Sequence, residues 1–245
     1  MDKLTAKNIT VSYEGANIIE DISIELNKGE IVSLLGVSGV GKTTLFNVIS
    51  GLLNPDEGSV ELDGRNITGK AGNVSYMLQK DLLLPYKTII DNVSLPLVIR
   101  GEKKSKAREV TVKYFQEFGL EGTENKYPFQ LSGGMRQRAA LLRTYLFSDQ
   151  VALLDEPFSA LDNITKSVMH EWYLQVMKQI KLSTLLITHD IDEAIILSDR
   201  IYVMAGKPGR IKEEVIIAEP KPRDKDFKVS ESFMKYKRHL LSILI

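Results

Sequence analysis

Apolar and polar positions alternate from Leu4 to Tyr13 and again from Ile18 to Leu26, where Ile22, Ile24 and Leu26 share one face of a predicted strand. The polar turn Asn27-Lys28-Gly29-Glu30 ends this pattern. From Ile31 to Leu35 the run is mostly apolar and reads as a buried strand. Ser59 to Leu62 and Asn73 to Leu78 predict two more strands, the first closed by the tight-turn pair Asp63-Gly64. The period then changes. Lys103 to Phe118 is charged and predicts a helix with Val110, Tyr114, Phe115 and Phe118 as its inward stripe, and Ser132 to Phe147 predicts a second helix. Val151-Ala152-Leu153-Leu154 and Thr184 to Thr188 predict short buried strands, separated by a helix over Asn163 to Ile180 and followed by a short helix over Asp192 to Leu197. Ile201 to Met204 and Ile211 to Ile217 predict strands around the turn Gly206-Lys207-Pro208-Gly209.

Buried strands separated by helices imply an α/β protein with a mostly parallel sheet. The β-rich first third and the helical stretch of roughly 88–147 stand apart from it, the latter as an insertion. Pro220 and Pro222 punctuate a polar break before a helical tail, in which Val229, Phe233, Tyr236, Leu240 and Leu244 fall at helical spacing. That stripe either packs back onto the core or meets a second subunit or a regulatory ligand; the basic Lys235, Lys237 and Arg238 form a solvated face.

The chain has 245 residues, enough for one large domain or a domain with a subdomain, and 43% of them are hydrophobic. Basic and acidic side chains balance at 32 each, so there is no global positive field of the kind that nonspecific nucleic-acid binding draws on, and no nucleic-acid partner is expected. The absence of cysteine excludes disulfides and thiolate metal sites. Met1-Asp2-Lys3-Leu4-Thr5 carries no apolar signal core. No stretch reaches the roughly 18 consecutive apolar residues of a spanning helix, so any membrane connection runs through a partner.

Candidate chemistry begins where the first buried strand ends. Gly36-Val37-Ser38-Gly39-Val40-Gly41-Lys42-Thr43 fits glycine, four free positions, then Gly-Lys-Ser/Thr, and it lies between a strand and a helix start at Thr44. Glycines let backbone N–H groups converge on an anion, and the helix N-terminus adds positive charge. Gly36, Ser38, Gly39, Gly41, Lys42, Thr43 and Thr44 are therefore candidate phosphate ligands, with Lys42 reaching the outer phosphates and the Thr43 hydroxyl holding Mg2+. Val151 to Leu154 runs into Asp155-Glu156-Pro157. In an open parallel sheet ligands sit at the carboxyl ends of strands, so Asp155 is placed to hold Mg2+ and Glu156 to polarise an attacking water. Taken alone, such an acidic pair also fits a helix cap or a solvated loop. The third feature is Leu131-Ser132-Gly133-Gly134-Met135, with Ser132, Gly133 and Gly134 at a helix start suited to an anion or, alone, to an ordinary Ser cap.

These motifs, in this order, resemble the ATP-binding cassette family over roughly Leu4 to Ile217, with Met135 where the family signature usually has glutamine. The resemblance implies a phosphate-loop NTPase core, an antiparallel β subdomain near the N-terminus and an inserted helical subdomain, so that residues 1–219 form the nucleotide-binding domain and 220–245 a helical tail. It implies ATP and Mg2+ as ligands. It also implies Tyr13 stacked on adenine, Gln79 sensing Mg2+ and the attacking water, Asp162 in a loop that communicates across a dimer, and His189 as a switch at the γ-phosphate. Glu156, His189, Lys42 and Gln79 are then the catalytic set, and Thr43, Gln79 and Asp155 the metal set. His170 and His239 have no such context and are read as surface or packing residues. Nucleotide is expected between two copies, the phosphate loop of one facing Ser132 to Gly134 of the other, as a homodimer in the ATP state.

Within the family, the linker Gln79-Lys80-Asp81-Leu82-Leu83-Leu84-Pro85-Tyr86-Lys87, and Pro208-Gly209-Arg210-Ile211 before Glu213-Glu214, resemble the nitrate, sulfonate and taurine uptake group. That implies integral-membrane permease subunits as partners, a solute-binding protein acting indirectly, and a place on the cytoplasmic face of the membrane. An exposed apolar patch near Leu83, Pro85 and Tyr86 is expected as the docking surface. A soluble assembly ATPase of the iron–sulfur type and an export cassette with a separate permease remain open alternatives.

Overall fold

The computed structural model describes residues 2–148, 150–221, 223 and 226–244. Met1, Pro222 of the polar break and Ile245 at the end of the tail lie outside them.

Along the chain, strands β1 (Asp2–Tyr13), β2 (Ala16–Asn27) and β3 (Ile31–Gly36) precede helix α1 (Lys42–Ile49). Strands β4 (Glu57–Leu62), β5 (Arg65–Asn66) and β6 (Ser75–Met77) follow. Helices α2 (Ile89–Val93), α3 (Leu95–Ile99), α4 (Lys104–Val112) and α5 (Gly133–Phe147) fill the middle. Then come β7 (Val151–Asp155), α6 (Asn163–Ile180), β8 (Ser183–Thr188), α7 (Ile191–Leu197), β9 (Arg200–Ala205), β10 (Arg210–Ile216) and α8 (Glu231–Leu244).

Two sheets result. The N-terminal one is antiparallel with order β2-β1-β4-β5, and the second is six-stranded with order β10-β9-β3-β8-β7-β6. In the latter β3 runs parallel to β8 and β9, and β7 parallel to β6 and β8, while β10 is antiparallel to β9. Every residue of β3, β7 and β8 is buried, as continuous apolar strands covered on both faces require. Register brings Leu35 opposite Thr188, and Asp155 opposite Ile187. The carboxyl ends of β3, β7 and β8 therefore meet at one edge, which carries the phosphate loop, the acidic pair and His189.

Two cores hold this edge in place. One joins the N-terminal sheet to α1 and one face of the large sheet through Ile22, Leu26, Phe46 and Leu185. The other joins the opposite face to α5, α6, α7 and the tail through Phe118, Leu142, Tyr173, Ile195, Phe233 and Leu240. The tail thus packs back onto the core, although Val229 is 82% exposed and does not share the stripe.

The helix expected over Lys103–Phe118 ends at Val112. Tyr114 and Phe115 donate their N–H groups three residues back, to Thr111 and Val112, and Gly119 turns left-handed at φ +62°, so the chain tightens out of the α form. Phe115 and Phe118 are buried as predicted, but through this turn. Within α4 it is Ala107 and Thr111 that face inward, with Val110 half-buried. The strand expected over Asn73–Leu78 spans only Ser75–Met77, the stretch paired with β7.

Candidate functional site

The loop after β3 is shaped by what lies behind it. A Cβ on Gly36 would stand 2.5 Å from the Met204 carbonyl oxygen, and one on Gly41, at φ +104°, would stand 2.3 Å from Ile19 Cγ2. Only glycine fits either place, so the loop curls tightly against β9 and β2. Gly41 caps α1, whose first N–H groups are left for a ligand. Lys42 folds back across the loop and donates to the carbonyls of Gly36 (2.7 Å) and Val37 (2.9 Å). Burial lowers its pKa against the opposing pull of Glu156 and Asp155. The ammonium is thus poised over the loop, with two carboxylates beyond it.

Asp155 closes β7 and faces Thr43, whose hydroxyl donates to its Oδ2 at 3.2 Å; the Tyr76 hydroxyl lies 3.5 Å from the same oxygen. Burial raises the Asp155 pKa, and the Glu156 charge adds to this, while the Thr43, Lys42 and Tyr76 contacts act the other way. Glu156 is left-handed at φ +46°, a conformation fixed by its N–H donating to the Ile187 carbonyl. Its carboxylate is held on both sides. Gln79 Nε2 donates to Oε2 at 3.1 Å, and His189 Nδ1 lies 2.9 Å from Oε1. Ser159 Oγ donates to the Glu156 carbonyl, and it lies 3.5 Å from Gln79 Nε2.

A cavity of about 320 Å3 opens here, lined by Ser38, Gly39, Gly41, Lys42, Thr43, Thr44, Gln79, Asp155 and Glu156. One wall supplies backbone N–H groups and an ammonium, the other hydroxyl and carboxylate oxygens. This is the charge layout that phosphoryl transfer needs. A second cavity of about 780 Å3 adjoins it and carries His189, Glu156 and Gln79 with Gly133 and Arg136.

The remaining predicted residues stand outside the phosphate cavity. Tyr13 is 69% exposed at the end of β1. Ser132 caps α5, its hydroxyl accepting from the Met135 N–H at 3.3 Å. Gly133 and Gly134 begin that helix, facing Leu161 and Met169. The Asp162 carboxylate caps α6, accepting from the Ile164 and Thr165 N–H groups at 3.0 Å each. Those hydrogen bonds, the Thr165 hydroxyl first, lower its pKa.

Several supporting residues are invisible to sequence reading. A Cβ on Gly209 would lie 2.0 Å from the Val40 carbonyl oxygen, and the Gly209 backbone bonds Ile18 and Glu20, so the β9–β10 turn backs the phosphate loop. Arg143 on α5 donates to the carbonyls of Leu82 (2.8 Å) and Asp81, and Arg136 pairs with Asp81 at 3.3 Å. These arginines tie the segment after Gln79 to the helix that starts at Ser132. No local pattern announces such contacts.

The expected linker patch needs correcting. Leu83 is only 8% exposed and packs in the core, because the chain turns left-handed at Leu82 (φ +46°) and presents that side chain instead. The exposed set is Leu82, Pro85 and Tyr86, with Tyr86 at 73%. An apolar groove of about 460 Å3 runs between the sheet and the helical segment, lined by Leu52, Tyr76, Leu95, Pro96, Ile99 and Phe147 among others.

Comparison with known proteins agrees with this geometry. Residues 19–159 match the model of the ABC transporter family. The formylaminopyrimidine import ATP-binding protein ThiZ of Halalkalibacterium halodurans is 45% identical, over 84% of this chain and 80% of its own length. The aliphatic sulfonates import protein SsuB of Bacillus cereus is 39% identical over 95% of each chain, and the nitrate import protein NrtD of Synechocystis is 35% identical over 92% and 87%. Among solved structures, a dimeric ATP-binding cassette in a post-hydrolysis state with ADP and Pi superposes with a TM-score of 0.74 at 27% identity, covering 89% of this chain and all of the other (100%). The fold of cbiO1 from Clostridium perfringens agrees more closely still, with a TM-score of 0.81 over 97% and 99% of the two chains at 23% identity. The chain belongs to the ABC transporter family, as one of its ATP-hydrolysing subunits.

Proposed function

We propose that this ATPase energises uptake of a small polar solute through a membrane permease, and that it hydrolyses ATP at sites completed by a second copy. The observation that carries the hydrolytic part is the double grip on Glu156 by Gln79 and His189, directly across the cavity from Lys42 and Thr43. In this reading Lys42 and the loop N–H groups hold the β- and γ-phosphates. Glu156 accepts the proton of the attacking water, and His189 and Gln79 fix its carboxylate.

The Thr43 hydroxyl and Asp155 carboxylate are hard oxygen donors side by side, a set that would suit Mg2+. Gln79 lines the same cavity and is the third candidate ligand. When bound there, the ion neutralises charge on the phosphates. Tyr13 stacks on adenine from outside the cavity.

Ser132 caps the helix that Gly133 and Gly134 begin, and none of the three lines the cavity of Lys42 and Thr43. They fit the role of a lid over the γ-phosphate of the opposite copy, with Asp162 at the seam, and a neighbour in the fold family is itself dimeric.

The import direction is supported by relatives named for the import of formylaminopyrimidine, aliphatic sulfonates, nitrate and taurine. Their solutes differ while their cassettes stay similar, which fits a subunit that never touches the solute. No helix among the described residues is long and apolar enough to cross a membrane. The permease docks onto the exposed Tyr86 and the apolar groove lined by Leu95, Pro96 and Ile99, at the cytoplasmic face of the membrane. A solute-binding protein acts on the other side, without contacting this chain. Reconstitution with the permease that copurifies with this subunit tests the reading. Tyr86→Asp abolishes ATP-driven uptake while the purified subunit still binds ATP. Undiminished uptake by that variant contradicts the docking.

A further inference from the structure

His170 is 5% exposed, in the middle of α6, and Glu193 is 3% exposed on α7. His170 Nε2 lies 3.1 Å from Glu193 Oε2, and His170 Nδ1 has no hydrogen-bond partner. Burying this pair costs desolvation that two apolar side chains would avoid. The His170 ring meets Phe158 edge-to-face, centroids 4.9 Å apart, and Phe158 is two residues beyond Glu156. Glu193 lies in the first turn of α7, the helix that follows His189. One turn earlier on α6, Lys166 pairs at 3.2 Å with Asp190, which caps α7 through the Asp192 and Glu193 N–H groups. Helix α6 therefore grips both the segment after Glu156 and the segment after His189, and His170 touches each of them.

We propose that His170, through Glu193, is a positioning residue for ATP hydrolysis: it fixes the separation of the Glu156 and His189 segments so that His189 Nδ1 stays within hydrogen-bond reach of Glu156. The inference rests on the reading of Glu156 and His189 given above. A hydrogen bond gives α6 and α7 one register, where an apolar contact would let them slide. Displacements of about 1 Å at such a centre can cost a hundredfold in rate.

The test is steady-state ATP hydrolysis by the full chain with Mg2+, alongside thermal unfolding. Glu156→Gln and His189→Ala serve as parallel controls. If those two variants keep the parent rate, the proposed hydrolytic set is wrong; if they lose activity, the His170 variants judge the present inference separately. His170→Leu is expected to lower kcat about tenfold with KM for ATP changed less than about twofold. In His170→Gln the amide nitrogen can still donate to Glu193, and kcat returns to within about threefold of the parent. The double variant His170→Leu/Glu193→Leu removes the unpaired buried carboxylate and recovers Tm, yet kcat stays low. If kcat recovers along with Tm in the double variant, or if His170→Leu keeps the parent kcat, the pair is packing and the inference fails. Should His170→Leu not fold, the glutamine and double variants still decide.

Discussion

Thr43 and Asp155, 112 residues apart in the chain, hold their hydroxyl and carboxylate 3.2 Å from one another. Neither residue could reach the other without the register of β3, β8 and β7, which brings the ends of β3 and β7 to the same height. The contact places hard oxygen donors beside Lys42, and it does so at a cost in stability, because burial raises the Asp155 pKa.

The sign of that cost is checkable. A carboxyl whose pKa is higher in the folded chain than in the unfolded one takes up protons on folding. It therefore weakens the fold once pH rises above the unfolded value, and its penalty disappears at lower pH. Asp155→Asn should raise Tm of the nucleotide-free chain at neutral pH while abolishing hydrolysis. The Tm gain should vanish on acidification below the ordinary aspartate range. A fall in Tm at neutral pH would show that the carboxylate is net stabilising.

Gly209 sits outside every phosphate-binding motif, yet a methyl group there would meet the Val40 carbonyl at 2.0 Å. Gly209→Ala must push the phosphate loop forward. We expect affinity for a nonhydrolysable ATP analogue to fall about tenfold, or about 1.4 kcal/mol. Isothermal calorimetry reads this directly, and unchanged affinity would mean that the loop yields freely.

Arg200 grips Glu30 with two bonds, 2.6 and 2.9 Å, between side chains 13% and 12% exposed. Burial alone would push Glu30 upward, but its bonds to Arg200 and Asn27 outweigh it and hold the carboxyl below its usual range. The stabilisation is thus complete above the ordinary glutamate pKa and is lost as pH falls through the lowered folded value. Arg200→Met should cost about 3 kcal/mol at neutral pH, since it leaves a largely buried carboxylate unpaired. The deficit should shrink in acid, as denaturant titrations at two pH values would show. A deficit independent of pH would assign the loss to packing instead.

Much of the site could be read from sequence because its signals are local. Gly36 to Thr43 encode their own turn and helix start, and Val151 to Glu156 encode a buried strand ending in acids. What could not be read depends on tertiary contact. The stripe through Phe115 and Phe118 gave the right burial but the wrong end for α4, because a tightened turn can bury the same side chains. Leu83 and Leu82 differ in exposure only because the backbone at Leu82 turns left-handed. His170, without a motif, takes its meaning entirely from Phe158 and Glu193 across space.

In the proposed mechanism two copies share the nucleotide, and Glu156 is the base that ends the shared state. Size-exclusion chromatography with light scattering on Glu156→Gln, with Mg2+ and saturating ATP, tests it most directly. A stable dimer that retains ATP and falls apart into monomers when nucleotide is removed is the expected result. A variant that binds ATP by calorimetry yet elutes as a monomer at every protein concentration would contradict it.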